Sequence, residues 1–170
     1  MEIVPIAGVP AAEVEALLDR AFEPGRHRRT AYRIREGVAA IPELSFAVLD
    51  GGALAGTIQC WPVCLRADAD GRGWPLVMIG PVAVDPARQG GGIGRALMAR
   101  ALAAAADTGR DGALALIGDP EYYGRFFGFT AARTGGWRLP GPWEPRRLLA
   151  RGAEVPDAAG MLGPGVAALA

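Results

Sequence analysis

Lysine and asparagine are absent from this 170-residue chain, Ser45 is its only serine, His27 its only histidine, and Cys60 and Cys64 its only cysteines. Each shortage removes a class of chemistry. Without lysine there is no Schiff-base nucleophile and no Walker-type phosphate loop. A Ser-His-Asp hydrolase would have to be built on Ser45 and His27, and no G-x-S-x-G elbow surrounds that serine. The cysteines and the histidine fall short of a zinc set, and C-x-x-x-C is not a redox motif, so no metal is expected and both thiols read as free and buried. The N-terminal Met-Glu-Ile-Val-Pro has neither a basic region nor a long apolar run, and no later apolar run spans a bilayer. A cytoplasmic location with no membrane partner is expected.

Charge of one sign is not in excess either. Eighteen arginines balance eighteen acidic residues, and the isoelectric point is near 6.6, so no global field draws in nucleic acid. The length suits one domain over residues 1–170, with a core over about 1–152 and a Gly- and Pro-rich tail over 153–170 whose structure the pattern leaves open. A monomer or a homodimer fits equally.

Glycine is plentiful, and its densest cluster falls in the stretch that organises the chain, Leu76 to Asp107. An apolar, β-branched run stops at Asp85-Pro86, four of the next few residues are Gly90, Gly91, Gly92 and Gly94, and a helical pattern opens at about Gly92. Strand, loop and helix in that order make a phosphate cradle: glycines let backbone N–H groups turn inward, and the helix N-terminus adds partial positive charge. The loop is not a dinucleotide fingerprint, because G-x-G-x-x-G started at Gly90 meets Arg95 and started at Gly92 meets Leu97. A tight turn alone does not require so many glycines, each of which costs backbone entropy.

The segment Gln89-Gly90-Gly91-Gly92-Ile93-Gly94 resembles the Q/R-x-x-G-x-G/A motif with which the GNAT superfamily of N-acetyltransferases grips the pyrophosphate of acetyl-CoA. Gly80-Pro81-Val82-Ala83-Val84-Asp85-Pro86 is similar to that superfamily's fourth strand, and Gly118 to Phe129 to its tyrosine-bearing helix ending in Gly-Phe, in the form seen in a branch of poorly characterised bacterial predicted acetyltransferases. The resemblance implies an α/β (α+β) fold with a mixed, mostly antiparallel sheet of about six to seven strands flanked by about four helices, splayed at the fourth and fifth strands. It implies acetyl-CoA as acyl donor and a primary amine of a small molecule, peptide or protein as acceptor. Gln89, Gly90, Gly91, Gly92, Ile93, Gly94 and Arg95 would bind the donor's pyrophosphate. Val82, Ala83 and Val84 would meet its pantetheine arm, the Val82 N–H would polarise the thioester carbonyl, and Tyr123 would be the general acid.

One departure bears on that acid. The family usually places it four residues before the glycine of Gly-Phe, whereas Tyr123 stands five before Gly128 and Tyr122 six. One residue turns a helical side chain by about 100°, so either the extra residue is absorbed after the tyrosine or the hydroxyl points elsewhere. The alternative for Tyr122 and Tyr123 is helix-to-sheet packing. No general base is legible; Glu43, Asp119, Glu121 or a chain of waters are open. Two rival functions also stand: a non-catalytic acyl-CoA-binding or sensing domain on the same scaffold, and a plain interaction domain with a structural glycine loop.

The rest of the pattern is filled in by local signals. Glu2–Ile6 reads as a strand, Pro10 opens a helix with Val14, Leu17, Leu18 and Phe22 inward, and Arg28–Glu36 reads as a short helix whose arginines form a solvated face. In the implied fold this region lies over the acceptor cleft, which makes Phe22, His27 and Tyr32 candidates for shaping it. Leu44–Leu49 and Ala53–Arg66 form a hairpin about Asp50-Gly51-Gly52, with Pro62 calling for a bulge or an unpaired side. Trp74–Asp85 is a central strand whose pairing must break near Gly80-Pro81. Ile93, Leu97, Met98, Ala101, Leu102 and Ala105 give the next helix its buried face, Ala113–Ile117 is a strand, and Asp119 and Pro120 start the tyrosine helix. A strand is expected at about 146–151, and Trp137 and Trp143 are read as packing a long loop, with an aromatic wall at the acceptor side as the other reading.

Overall fold

The computed structural model describes residues 1–165. In chain order they form β1 (Glu2–Pro5), α1 (Ala11–Ala21), α2 (Thr30–Ile34), β2 (Phe46–Asp50), β3 (Ala53–Ala67), β4 (Gly73–Val84), α3 (Ile93–Asp107), β5 (Leu114–Ile117), α4 (Pro120–Phe127), β6 (Trp137–Arg138), β7 (Leu148–Arg151) and β8 (Gly160–Pro164). The strands make one eight-stranded sheet in the order β1-β2-β3-β4-β5-β7, with β8 pairing β3 and β6. Only β4 with β5 and β6 with β8 run parallel.

The central strand β4 is buried on both faces. Val77 and Ile79 enter one core with Leu97, Met98, Leu114 and Leu149, while Leu76 and Met78 enter a second with Leu65, Trp137, Leu148 and Leu162. Period-2 alternation therefore feeds two apolar layers from one continuous apolar run. Helix α3 covers the first layer through Ile93, Leu97, Met98, Ala101 and Ala105, the face its sequence pattern predicts. It can lie close because Gly56 of β3 has no side chain: a Cβ there would stand 2.7 Å from Ile93 Cγ2.

The proline-bearing strands resolve differently from one another. Opposite the single residue Gln59, β4 carries two, Gly80 and Pro81, since Ile58 pairs with Val82 and Cys60 with Ile79. That is a β-bulge at the expected place, and the Gly80-Pro81 peptide is cis. Pro62 causes no bulge: it pairs with Val77, and it lies between the end of β2 pairing at Ile58 and the start of β8 pairing at Val63. Its missing N–H thus falls where the outer neighbour of β3 changes.

Three further expectations are revised. The Gly- and Pro-rich tail contributes β8, so the strand count is eight rather than six or seven; the stretch 166–170 of that tail lies outside the described residues. The Arg28–Glu36 helix is a single 3₁₀ turn at Arg26–Arg28 followed by the short α2. Its arginines are not all solvated: Arg35 is 7% exposed, and Arg26 just before the stretch is buried as well. Asp119 occupies the N-cap of α4 but its side chain does not cap, because it accepts from Arg147 Nε at 3.2 Å.

Both cysteines are free and buried, and burial pushes the Cys60 thiol up to about 12. Since the thiolate is the reactive form, a disulfide-exchange reagent at pH 8 should titrate no thiol in the native protein and both after denaturation. A prompt native reaction would show that β3 opens locally.

Candidate functional site

Strands β4 and β5 are paired only at Val77 with Leu114 and Met78 with Ala115, although β4 continues to Val84 and β5 to Ile117. Beyond Met78 they part. The direction of the freed backbone follows from the other side of β4. Asp85 N–H donates to Ala55 O at 2.9 Å, and Ala83 stands opposite Thr57 in the same register. Antiparallel residues alternate between facing their partner and facing away, so Ala83 directs its N–H and C=O at β3, and Val82 and Val84 direct theirs into the gap.

The mouth of α3 opens beside that edge. Gly90 and Gly92 have φ of +88° and +80°, left-handed values that glycine adopts without strain. Gly92 is the N-cap, its carbonyl accepts from Ala96, and the N–H groups of Ile93, Gly94 and Arg95 are left without helical partners. A groove of about 560 Å³ is lined by Val82, Ala83, Val84, Gln89, Gly90, Gly92, Ile93, Gly94 and Arg95, together with Phe22 and Tyr122. Of the donor-binding residues read from the sequence only Gly91 is not on its wall. Ala83 is on the wall, but its backbone polar groups are engaged toward β3. The Arg95 guanidinium lies over Phe126, 4.2 Å from the ring centre.

A second, larger cleft of about 860 Å³ occupies the gap itself. Its walls are β4 from Met78 to Val82, the end of β5 with Gly118 and Asp119, the 26–35 segment, and Pro142 to Glu144. Tyr123 faces this cleft, whereas Tyr122 faces the glycine-lined groove. Val82 and Phe22 line both, so the two spaces meet there.

The end of the tyrosine helix is wider than usual. Gly128, at φ +74°, ends α4, and Phe129 N–H reaches back to Tyr123 O at 3.2 Å, a span of six residues. The usual helix-ending bond of this kind spans five. The last turn between Tyr123 and Gly-Phe therefore holds one residue more than that motif. Burial pushes the Tyr123 phenol above its ordinary value near 10, Tyr122 and Asp119 add to the rise, and Arg147 opposes it. The hydroxyl is a proton donor, not a phenolate, at neutral pH.

Among the carboxylates left open as bases, Asp119 alone lines the cleft. Glu43 pairs with Arg110 and Glu121 with Arg146, both at the surface. Of the aromatic candidates, Phe22 and Tyr32 line the cleft, while His27 is exposed and stacks on Tyr32 at 5.0 Å. Trp137 is a core residue; Trp143 both packs on the second core and walls the cleft. Sequence reasoning missed Arg35. Its guanidinium is held 4.1 Å from the ring centres of both Tyr32 and Trp61 and donates to Gly80 O at 3.1 Å, and Trp61 Nε1 donates to the same carbonyl at 2.6 Å. The bulge is thus pinned from below. No local sequence signal separates Arg35 from the exposed Arg33 two places before it, since its partner Trp61 lies on another element.

Among the described residues no three His, Cys, Asp or Glu side chains could hold a metal ion together, and no helix is long and apolar enough to cross a membrane.

Comparison with known proteins agrees with this geometry. A GNAT-family N-acetyltransferase from Escherichia coli, YhbS, solved with CoA, is 24% identical, with 99% of this chain and 92% of that one covered at a TM-score of 0.72. A GNAT-family acetyltransferase from Brucella melitensis, solved with acetyl-CoA, is 28% identical, with 90% and 96% covered at 0.57. A GCN5-related N-acetyltransferase from Kribbella flavida matches 76% of this chain and 32% of its own at 22% identity and 0.54. No curated protein matches. The sequence model of the acetyltransferase (GNAT) family matches residues 11–129, from the start of α1 through the Gly-Phe that closes α4. The chain belongs to the acetyltransferase (GNAT) family.

Proposed function

We propose that this acetyltransferase takes the acetyl group of acetyl-CoA and moves it to a primary amine by direct attack in the cleft between β4 and β5, with Tyr123 as general acid. The observation that carries the reading is the meeting of the two spaces at Val82. A donor lying along β4 would place its phosphates against the loop from Gly90 to Arg95 and its thioester beside Val82. The bound CoA and acetyl-CoA of the Escherichia coli and Brucella proteins support the same choice of donor.

The steps follow from the groups present. The neutral amine attacks the thioester carbon, and charge grows on its oxygen, where the outward Val82 N–H donates a hydrogen bond. The intermediate collapses with cleavage of the C–S bond, and the thiolate takes the Tyr123 proton. The surplus proton of the new amide leaves to water, and the phenolate regains a proton from solvent. Of Glu43, Asp119 and Glu121 only Asp119 lines the cleft, and it is held by Arg147; no base is assigned, and the amine arrives neutral from solution.

Calorimetry with CoA and thiol release with a panel of amines test this together. Binding is expected in the micromolar range, with acetyl-CoA turnover in the presence of an accepted amine. Because the Tyr123 phenol titrates above its ordinary value, kcat/KM for the amine should rise with pH as more amine is neutral and show no descending limb below about pH 10. Absence of CoA binding at millimolar ligand would sink the whole reading. CoA binding with no thiol release from any amine would leave a sensing role.

A further inference from the structure

The acceptor cleft is unusually rich in arginine, and nearly all of that charge is already spoken for. Arg26 bonds Glu15 and Asp19, Arg29 pairs with Glu23, and Arg147 with Asp119. Arg28 is exposed to solvent. Arg35 is the exception: it is 93% buried, it lines the cleft, and among the described residues no carboxylate lies within ion-pair distance of it. Its guanidinium lies 4.1 Å from the ring centres of both Tyr32 and Trp61 and donates to Gly80 O. None of its nitrogens is sealed away without a partner, so the unused N–H groups open on the cleft.

A buried cation without a counter-ion is unfavourable, and two aromatic faces and one carbonyl offset only part of the cost. A planar guanidinium packed on aromatic rings, with N–H groups left over, matches a carboxylate. The cleft is correspondingly poor in free negative charge, since Glu23 and Asp119 are paired and only the exposed Glu144 is not. A polycationic acceptor would find little to hold it.

We propose that the acetyl acceptor is a small amine that also carries a carboxylate, and that the unused N–H groups of Arg35 donate to that carboxylate. The proposal rests on the acetyl-transfer reading and names its acceptor class. Gly80, which Arg35 touches, is two residues before Val82 across the bulge, and because the three steps from Ile79 to Val82 run opposite only the two from Cys60 to Ile58, the two positions are less than about 7 Å apart. An amine at the thioester and a carboxylate at Arg35 are therefore spanned by a molecule of amino-acid to dipeptide size.

The test compares matched acceptors, amino acids and dipeptides as free acids against their C-terminal amides, by thiol release from acetyl-CoA. The free acid is expected to have at least tenfold higher kcat/KM in the parent, although for amino acids the amide's amine is the less basic and so the more available. In Arg35→Gln the preference should fall to about one, and Arg35→Lys should recover part of it, with CoA affinity by calorimetry showing that each variant keeps its donor groove. Equal use of acid and amide by the parent overturns the proposal, as does a loss in Arg35→Gln that is the same for both. If CoA binds but no panel member is acetylated, the same ligands are titrated onto the CoA-saturated protein. Acids that bind tightly in an Arg35-dependent way uphold the carboxylate site without the transfer reaction, and acids that bind no better than amides refute it.

Discussion

Replacing Tyr123 by phenylalanine is expected to lower kcat about a hundred- to a thousandfold, the usual contribution of a positioned general acid, with little change in acetyl-CoA affinity or thermal midpoint. The phenyl ring keeps the contacts of the phenol: it still lies against Gly118, where a Cβ would be 2.4 Å from the Tyr123 ring, and edge-on to Tyr122. On the proposed mechanism only the proton for the departing thiolate is removed. Tyr122→Phe is the paired control, because that side chain faces the glycine-lined groove rather than the cleft, and its kcat should stay within a few fold of the parent. Equal losses in the two variants would mean that the ring pair acts through packing. A fully active Tyr123→Phe would remove the tyrosine from the chemistry and leave the thiolate to depart unaided.

Gly92→Val is expected to weaken CoA at least a hundredfold, equivalent to about 2.7 kcal/mol, while the fold still unfolds cooperatively. The cause is conformational rather than steric. Nothing lies within 4 Å of a Cβ built on Gly92, but its φ of +80° is closed to a β-branched residue. The backbone must flip, which turns the loop's N–H groups away from the groove, and one or two charge-assisted hydrogen bonds to phosphate account for a loss of this size. Helix α3 itself survives, since Leu97 and Met98 are buried a turn further on. Gly92→Ala should fall between parent and valine. Calorimetry on the three proteins measures the series, and an unchanged affinity in the valine variant would detach the glycine loop from the donor.

The parts of the site that were legible in the sequence are those made by glycine and proline, because these residues act on their own backbone. Gly80-Pro81 announced the break in β4, and the cluster from Gly90 to Gly94 announced the helix mouth, without reference to anything distant. The tyrosine helix was legible as an element, but the facing of Tyr123 was not. It depends on a wide last turn in which Phe129 bonds back over six residues, and residue spacing alone does not reveal that. Arg35 was read as surface because a short arginine-rich helix resembles a solvated one. Its burial is decided by Trp61 on β3 and the carbonyl of Gly80 on β4, contacts that exist only once the sheet is assembled. The strand β8 escaped for a similar reason: Gly160, Gly163 and Pro164 argue against a strand, and the segment is extended because β3 and β6 supply its pairing.

The direction in which Val82 and Val84 point has a last consequence for how such a protein can diversify. Donor recognition of this kind is written in main-chain atoms, which most substitutions leave in place, whereas the opposite wall of the cleft is written in side chains such as Arg35, Tyr32 and Trp143. On the proposed reading, mutational drift across that wall retunes which amine is accepted without disturbing the thioester's seat, so new acceptor preferences are reachable by single steps that each leave a working enzyme.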